Sequence, residues 1–298
     1  MSYHVPVMLK GSLEGLEIKP DGVYVDVTFG GGGHSRAILE QLNEKGKLLA
    51  FDQDADAAKN VWSDPRLIFI PQNFEHLKRY LKLNSLTQVD GILADLGVSS
   101  YQFDTAERGF STRFNAALDM RMDQDSKLTA VDVLHTYDAA ELQRVFGEYG
   151  EVRNARTLAH AIVGARTVVP MNTTADLLAI ADPLSMGNVN RYMAQVFQAL
   201  RIEVNKEMEV LEAFLQDATD SLKPGGRLVV ISYHSLEDRL VKNYIRAGNA
   251  SGEPERDVFG RAEIPLKAIT KKPIEADAEE LKINPRSRSA RMRVAVKV

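Results

Sequence analysis

The chain has 298 residues, 44% of them hydrophobic and 26% charged, a formal net charge of −4 and no cysteine. That length supports one large domain or two, and the absence of cysteine excludes disulfides, thiolate zinc sites and attack by a sulfur nucleophile, including the covalent route to carbon-5 of a pyrimidine. No stretch nears the roughly eighteen unbroken apolar residues of a membrane span. The opening "MSYHVPVMLKGSL" lacks the basic start and apolar run of a secretory signal, so the expected location is cytoplasmic.

In chain order, short apolar runs bounded by turn residues predict strands at "GVYVDVTF" (22–29), "GKLLAFDQD" (46–54), "RLIFIPQNF" (66–74), "DGILADLG" (90–97) and "GRLVVISYH" (226–234). Helical patterns alternate with them, which reads as a parallel sheet with crossover helices. The gap between the fourth and fifth runs is far longer than a crossover connection, so something is inserted there. Within it, Thr129 with Asp132 and Asp138 with Glu141 stand at capping-box spacing, followed by Leu142, Val145 and Phe146 on one helical face. A longer helix is predicted from Val196, Leu200, Val204, Met208, Leu211 and Leu215, stopped by "KPGG" (223–226). Beyond the fifth strand, "AEIPLKAIT" (262–270) and "SARMRVAVKV" (289–298) predict an antiparallel pair joined by a solvated loop.

The stretch "DVTFGGGGHSRAIL" (26–39) places Gly30 to Gly33 between the first strand and the first helix. A glycine-rich turn there lets a ligand touch the backbone, and the positive end of the helix favours a carboxylate or phosphate. Asp52 ends the second strand about twenty residues on, where an acidic side chain accepts from a ribose diol. Asn73, Phe74 and Asp95 stand at the carboxyl ends of the third and fourth strands, so the pattern points to a nucleoside cofactor. NAD and S-adenosylmethionine both satisfy it. Ser35 where G-x-G-x-x-G needs its third glycine, and the terminal antiparallel pair, favour S-adenosylmethionine.

These residues resemble the bacterial ribosomal RNA small-subunit methyltransferase H (MraW) family almost end to end. The likeness rests on "HVPVML", "TFGGGGHS" (28–35), "FDQD" (51–54), "DLGVSS" (95–100), "RGFS" (108–111), "LDMRM" (118–122), "FGEYGE" (146–151), "FQALRIEVN" (197–205), "SYHSLEDRLVK" (232–242) and "NPRSRSARMR" (284–293). The resemblance implies a class I S-adenosylmethionine-dependent, Rossmann-like methyltransferase sheet at 1–104 plus 214–298, with an all-helical substrate-recognition domain inserted at 105–213. It implies methyl transfer from S-adenosylmethionine to the exocyclic N4 of a cytidine in 16S rRNA, at the decoding centre of the small ribosomal subunit. Gly32, Gly33, His34, Asp52, Phe74, Asp95 and Gln102 match the family's cofactor-binding positions. Tyr101, Ala117, Tyr233 and Gln195 depart from its usual proline, proline, phenylalanine and arginine.

For an exocyclic amine, whose lone pair is delocalised into the ring, an acceptor must orient the N–H and stabilise charge as the methyl arrives. Asp95 is the candidate, although "DLGV" lacks the [DNS]-P-P-[YF] loop of other amino methyltransferases. Tyr233 and Phe103 are candidates to stack a flipped cytosine, and His234 to orient the base or relay a proton. The tail from Asn284 onward is basic without an acid: Arg286 and Arg288 are the phosphate candidates, with Arg291 and Arg293 on the solvent face of a strand that turns Met292 and Val294 inward. Arg108, Arg121 and Arg239 are RNA candidates too, with ion pairing to Asp104, Asp119, Asp123 or Asp238 as the alternative. No metal site is expected. An NAD oxidoreductase, a non-catalytic RNA-binding factor and a homodimer all stay open on these residues alone.

Overall fold

The computed structural model describes residues 6–298, so His4 and Val5 of "HVPVML" lie outside the described residues. The chain forms two compact units, one of the residues up to Gly97 together with Met208–Val298, the other Val98–Glu207. In chain order the elements are α1 (Leu9–Leu16), β1 (Val23–Asp26), α2 (Gly33–Gln41), β2 (Lys47–Phe51), β3 (Leu67–Ile70), α3 (Leu77–Leu83) and β4 (Val89–Asp95). Then come α4 (Ser100–Asp104), α5 (Ala130–Thr136), α6 (Ala139–Arg144), α7 (Ala155–Ala165), α8 (Thr174–Ala181) and α9 (Val189–Asn205). The chain continues through α10 (Glu207–Ser221), β5 (Leu222–Ser232), α11 (Ser235–Ala247), β6 (Leu266–Ala268), β7 (Ile274–Glu275), α12 (Ala278–Ile283) and β8 (Arg291–Lys297).

The first unit is the expected α/β, Rossmann-like sheet, with strand order β3-β2-β1-β4-β5-β8-β6 and β7 paired to β8. Strands β3, β2, β1, β4 and β5 run parallel, and β8 is antiparallel to β5, β6 and β7. The chain winds outward from β1 to β3 and then returns to the other side of β1 for β4. That reversal leaves a crevice at the carboxyl ends of β1 and β4, where open sheets of this kind bind ligands. Helices cover both faces, which is why the strands read as unbroken apolar runs. On β5, Leu228 and Val230 join one buried cluster with Phe214 and Leu240, while Val229 and Ile231 join the other with Leu16 and Ile38. Each such fully buried side chain contributes roughly 1.5–3 kcal/mol.

The second unit packs its helices around Leu134, Leu142, Phe146, Leu158, Val196 and Leu200. Both expected capping boxes are present: Thr129 closes on Asp132 at the start of α5, and Asp138 on Glu141 at the start of α6. A third, Thr173 with Asp176, starts α8.

Three expectations are corrected. The long helix through Met208 is two helices, because Lys206 adopts a left-handed φ of 49° between α9 and α10. The "KPGG" stretch does not precede β5 but lies within it, as a register irregularity opposite Val89 and Gly91. Residues 271–288 are more than a loop: they hold β7, α12 and a short 3-10 turn, Pro285–Ser289, in which Ser287 is buried beside Asn284. Among the described residues no helix is long and apolar enough to cross a membrane.

Candidate active site

Three carboxylates end three adjacent strands: Asp26 on β1, Asp52 just past β2 and Asp95 on β4. Asp26 is fully buried, accepting at Oδ2 from Ser35 Oγ (2.7 Å) and at Oδ1 from Thr28 N (3.1 Å). Burial pushes its carboxyl above the ordinary range. Thr28 continues the chain of contacts, its Oγ1 accepting from Asp95 N at 2.7 Å. Asp26, Thr28 and Ser35 were not singled out in the sequence as site residues. The signal was the position of Asp26 at the head of the glycine stretch, with a hydroxyl placed to reach it.

The glycine turn divides into two kinds of position. Gly30 (φ 51°) and Gly31 face open space, with nothing near where a Cβ would stand. Gly32 (φ 75°), the N-cap of α2, would drive a Cβ to 2.7 Å from the Trp62 ring, and Gly33 would drive one to 2.3 Å from Pro6 Cγ. Gly32 and Gly33 thus allow the turn to pack closely, whereas Gly30 and Gly31 offer bare backbone. Asp52 ties the turn to β2, accepting from Gly30 N at Oδ2 (2.7 Å) and from Asp54 N at Oδ1 (2.9 Å). Burial raises its carboxyl to about 6, against those two hydrogen bonds.

His34, on the first turn of α2, is buried and hydrogen-bonded through Nε2 to the Val7 carbonyl at 3.1 Å. Its Nδ1 stands 3.9 Å from Asp95 Oδ2. Burial lowers the imidazole below its ordinary value, with Asp95 opposing. Asp95 Oδ1 accepts from the Tyr233 hydroxyl at 2.7 Å. Burial raises Asp95 to about 6, His34 and the Tyr233 hydrogen bond pull it down, and Asp26 and Glu237 push it further up. Tyr233 is raised in turn, first by burial and then by Asp95. A crevice lined by carboxylates and backed by glycine is electrostatically suited to a cationic ligand, and carboxyls pushed upward by desolvation at strand ends make it the candidate site.

Other expected residues have different surroundings. Tyr233 is half-buried, packing against the core cluster of Leu93 and Ile231 with its hydroxyl on Asp95. His234 caps α11: Glu237 N donates to its Nδ1 (3.4 Å), while Tyr233 N donates to Glu237 Oε2 (2.8 Å). Glu237, buried at the hub of that cap, was not foreseen. Phe74 lies edge-to-face on Phe214, ring centroids 5.2 Å apart.

Gln102 belongs to the other unit, where it is buried and completes a capping box with Ser99 at the start of α4. Phe103 packs on that unit's core beneath the Arg113 guanidinium, 5.1 Å from its ring. Gln195 donates to the Glu151 carbonyl.

The arginines are redistributed. Arg108 is buried and donates to the Arg121 and Met122 carbonyls. Arg121 is held bidentately by Asp119 and donates to the Gln124 and Ser126 carbonyls. Arg293 is not on a solvent face: β8 lies between β5 and β6, and Asp238 binds the guanidinium at 2.7 and 3.0 Å. Arg239, Arg286 and Arg288 are exposed.

The whole chain, residues 1–298, matches the model of the MraW methylase family. It is 53% identical over 298 residues to ribosomal RNA small subunit methyltransferase H of Bacteroides thetaiotaomicron, covering 100% of this chain and 98% of that one. It is 54% identical over 299 residues to the protein of the same name from Flavobacterium johnsoniae, covering 100% and 99%. Among solved structures it is similar to NSun6 from Pyrococcus horikoshii with SFG, with a TM-score of 0.45 at 15% identity, covering 98% of this chain and 52% of that one. It is also similar to an rRNA methylase from Streptococcus thermophilus, with a TM-score of 0.38 at 13% identity over 97% and 93%.

Proposed function

From the premise that the chain belongs to the MraW methylase family, we propose that it transfers a methyl group from S-adenosylmethionine to the exocyclic N4 of a cytidine in 16S rRNA, at the decoding centre of the small ribosomal subunit. The observation that carries this reading is Asp95, a half-buried carboxylate at the switch point of the sheet, anchored through one oxygen and facing His34 with the other. The residues fit the cofactor: Gly30 and Gly31 present open backbone, and Asp52 ends β2 where a ribose diol is bound in this fold. Gly32, Gly33 and His34 would shape the turn around it, with Phe74 and Asp95 as further contacts.

When bound, S-adenosylmethionine supplies a methyl group on a sulfonium sulfur that departs as a neutral thioether. Asp95 Oδ2 accepts from the target amine, which draws electron density from the ring onto nitrogen, and it receives the proton that nitrogen sheds. The exposed Arg239, Arg286 and Arg288 serve the RNA backbone, where guanidinium groups bind phosphate bidentately.

Labelled methyl transfer from S-adenosylmethionine to small subunits lacking the modification tests this reading. Label in 16S rRNA is the expected result. Bound cofactor with no label passed to subunits would favour a non-catalytic RNA-binding role.

A further inference from the structure

A carboxylate with four lone-pair directions is a poor director of chemistry unless its rotamer and its unused oxygen are both defined. Asp95 meets both conditions through groups from four elements. Tyr233, following β5, donates to Oδ1, His34 of α2 faces Oδ2, Asp26 lies at the end of β1, and Glu237 of α11 stands behind Tyr233; Glu280 of α12 adds negative charge near both Tyr233 and His34. The main-chain N–H of Asp95 is fixed on Thr28 Oγ1.

The His34 ring adds a constraint. Its Nε2 lies 3.1 Å from the Val7 carbonyl, which can only accept, so Nε2 carries the proton and Nδ1 of the neutral ring is a bare lone pair. Nδ1 and Asp95 Oδ2 are then two acceptors facing each other at 3.9 Å, too far apart for a hydrogen bond to join them directly. Such a pair is complete only when a donor with more than one hydrogen reaches it.

We propose that Tyr233 is a positioning residue: its hydroxyl clamps Asp95 Oδ1 so that Oδ2, paired with His34 Nδ1, is the acceptor left for the target amino group. The proposal rests on the methyltransferase reading for its substrate, but the clamp itself can be measured without cofactor or RNA. Removing a hydrogen bond that favours the charged form raises a carboxyl pKa, so Tyr233→Phe, which keeps the ring in its packing site, should move the Asp95 carboxyl upward by about one pH unit.

The test is a carbon-13 carboxyl titration of cofactor-free wild type and Tyr233→Phe, with Asp95→Asn identifying the resonance, alongside kinetics on small subunits. The midpoint should rise by about one pH unit. The acid limb of the rate profile should rise with it, with kcat down about tenfold and KM for subunits unchanged within about twofold. In an Asp95→Asn background, Tyr233→Phe should slow the reaction no further. An unmoved carboxyl midpoint overturns the proposal whatever the activity, and so does an equal loss of rate in the Asp95→Asn background. A wild-type protein that passes no methyl to subunits would instead count against the functional reading, with the clamp still decided by the titration.

Discussion

Ser35, on the first turn of α2, donates its hydroxyl to Oδ2 of the fully buried Asp26 at 2.7 Å. The residue that spoils the dinucleotide fingerprint is thus the donor that keeps the β1 carboxylate satisfied. Leaving a buried acceptor without its donor costs about 1–3 kcal/mol. Ser35→Ala should therefore lower stability by that amount in urea unfolding, and Ser35→Gly, which completes G-x-G-x-x-G, should lower it at least as much. Equal stability of Ser35→Gly and wild type would show that the hydroxyl is dispensable.

The two kinds of glycine in the turn separate fold from ligand. Gly31→Ala meets nothing in the protein, so its melting temperature should stay within about 1 °C of wild type, while any loss in S-adenosylmethionine affinity reports direct contact with the cofactor. Gly33→Ala forces a Cβ into Pro6 and should destabilise the free protein by about 1–3 kcal/mol. Calorimetric binding and thermal melts on the two variants give the comparison; identical melts would contradict the packing role of Gly33.

Asp95 gives a pH dependence with a definite sign. Its folded carboxyl is raised to about 6 from an ordinary value near 4, so the folded protein holds more protons than the unfolded chain between those pH values. Stability contributed at this site is full below about pH 4 and is lost as pH rises through about 6. Asp95→Asn should therefore raise the melting temperature of the cofactor-free protein by about 3–6 °C at pH 7.5 and leave it nearly unchanged at pH 4. A variant equally stabilised at both pH values would point to packing and not to charge.

Arg293 and Asp238 form a buried bidentate pair inside the first unit, and breaking one side of such a pair costs about 3–5 kcal/mol because a charge is left stranded. Arg293→Met alone should be strongly destabilising, and Arg293→Met with Asp238→Leu should recover most of the loss. If Arg293→Met is neutral in denaturant unfolding, the pair contributes nothing to stability.

How far these features could be read from the sequence depends on the range over which each is specified. The parallel strands and the capping boxes at Thr129 and Asp138 are written in adjacent residues and were legible. The place of Asp52 at the end of β2 was legible because the interval from glycine turn to second-strand acid is set by one β-α-β unit. The break at Lys206 was not, since lysine carries no left-handed preference and the apolar spacing from Val196 to Leu215 continues through it. Arg293 was misread because alternation predicts a solvent face only for a strand with one covered side, and β8 is interior to the sheet. The Tyr233–Asp95 bond joins residues 138 positions apart, so nothing local announces it.

The most direct test of the central claim is nucleoside mass analysis of 16S rRNA after unmodified small subunits have been incubated with S-adenosylmethionine and the protein. The account predicts N4-methylcytidine at one position with the wild-type chain and none with Asp52→Ala. A methyl group on a ring carbon or on another base, or transfer undiminished by Asp52→Ala, would contradict it.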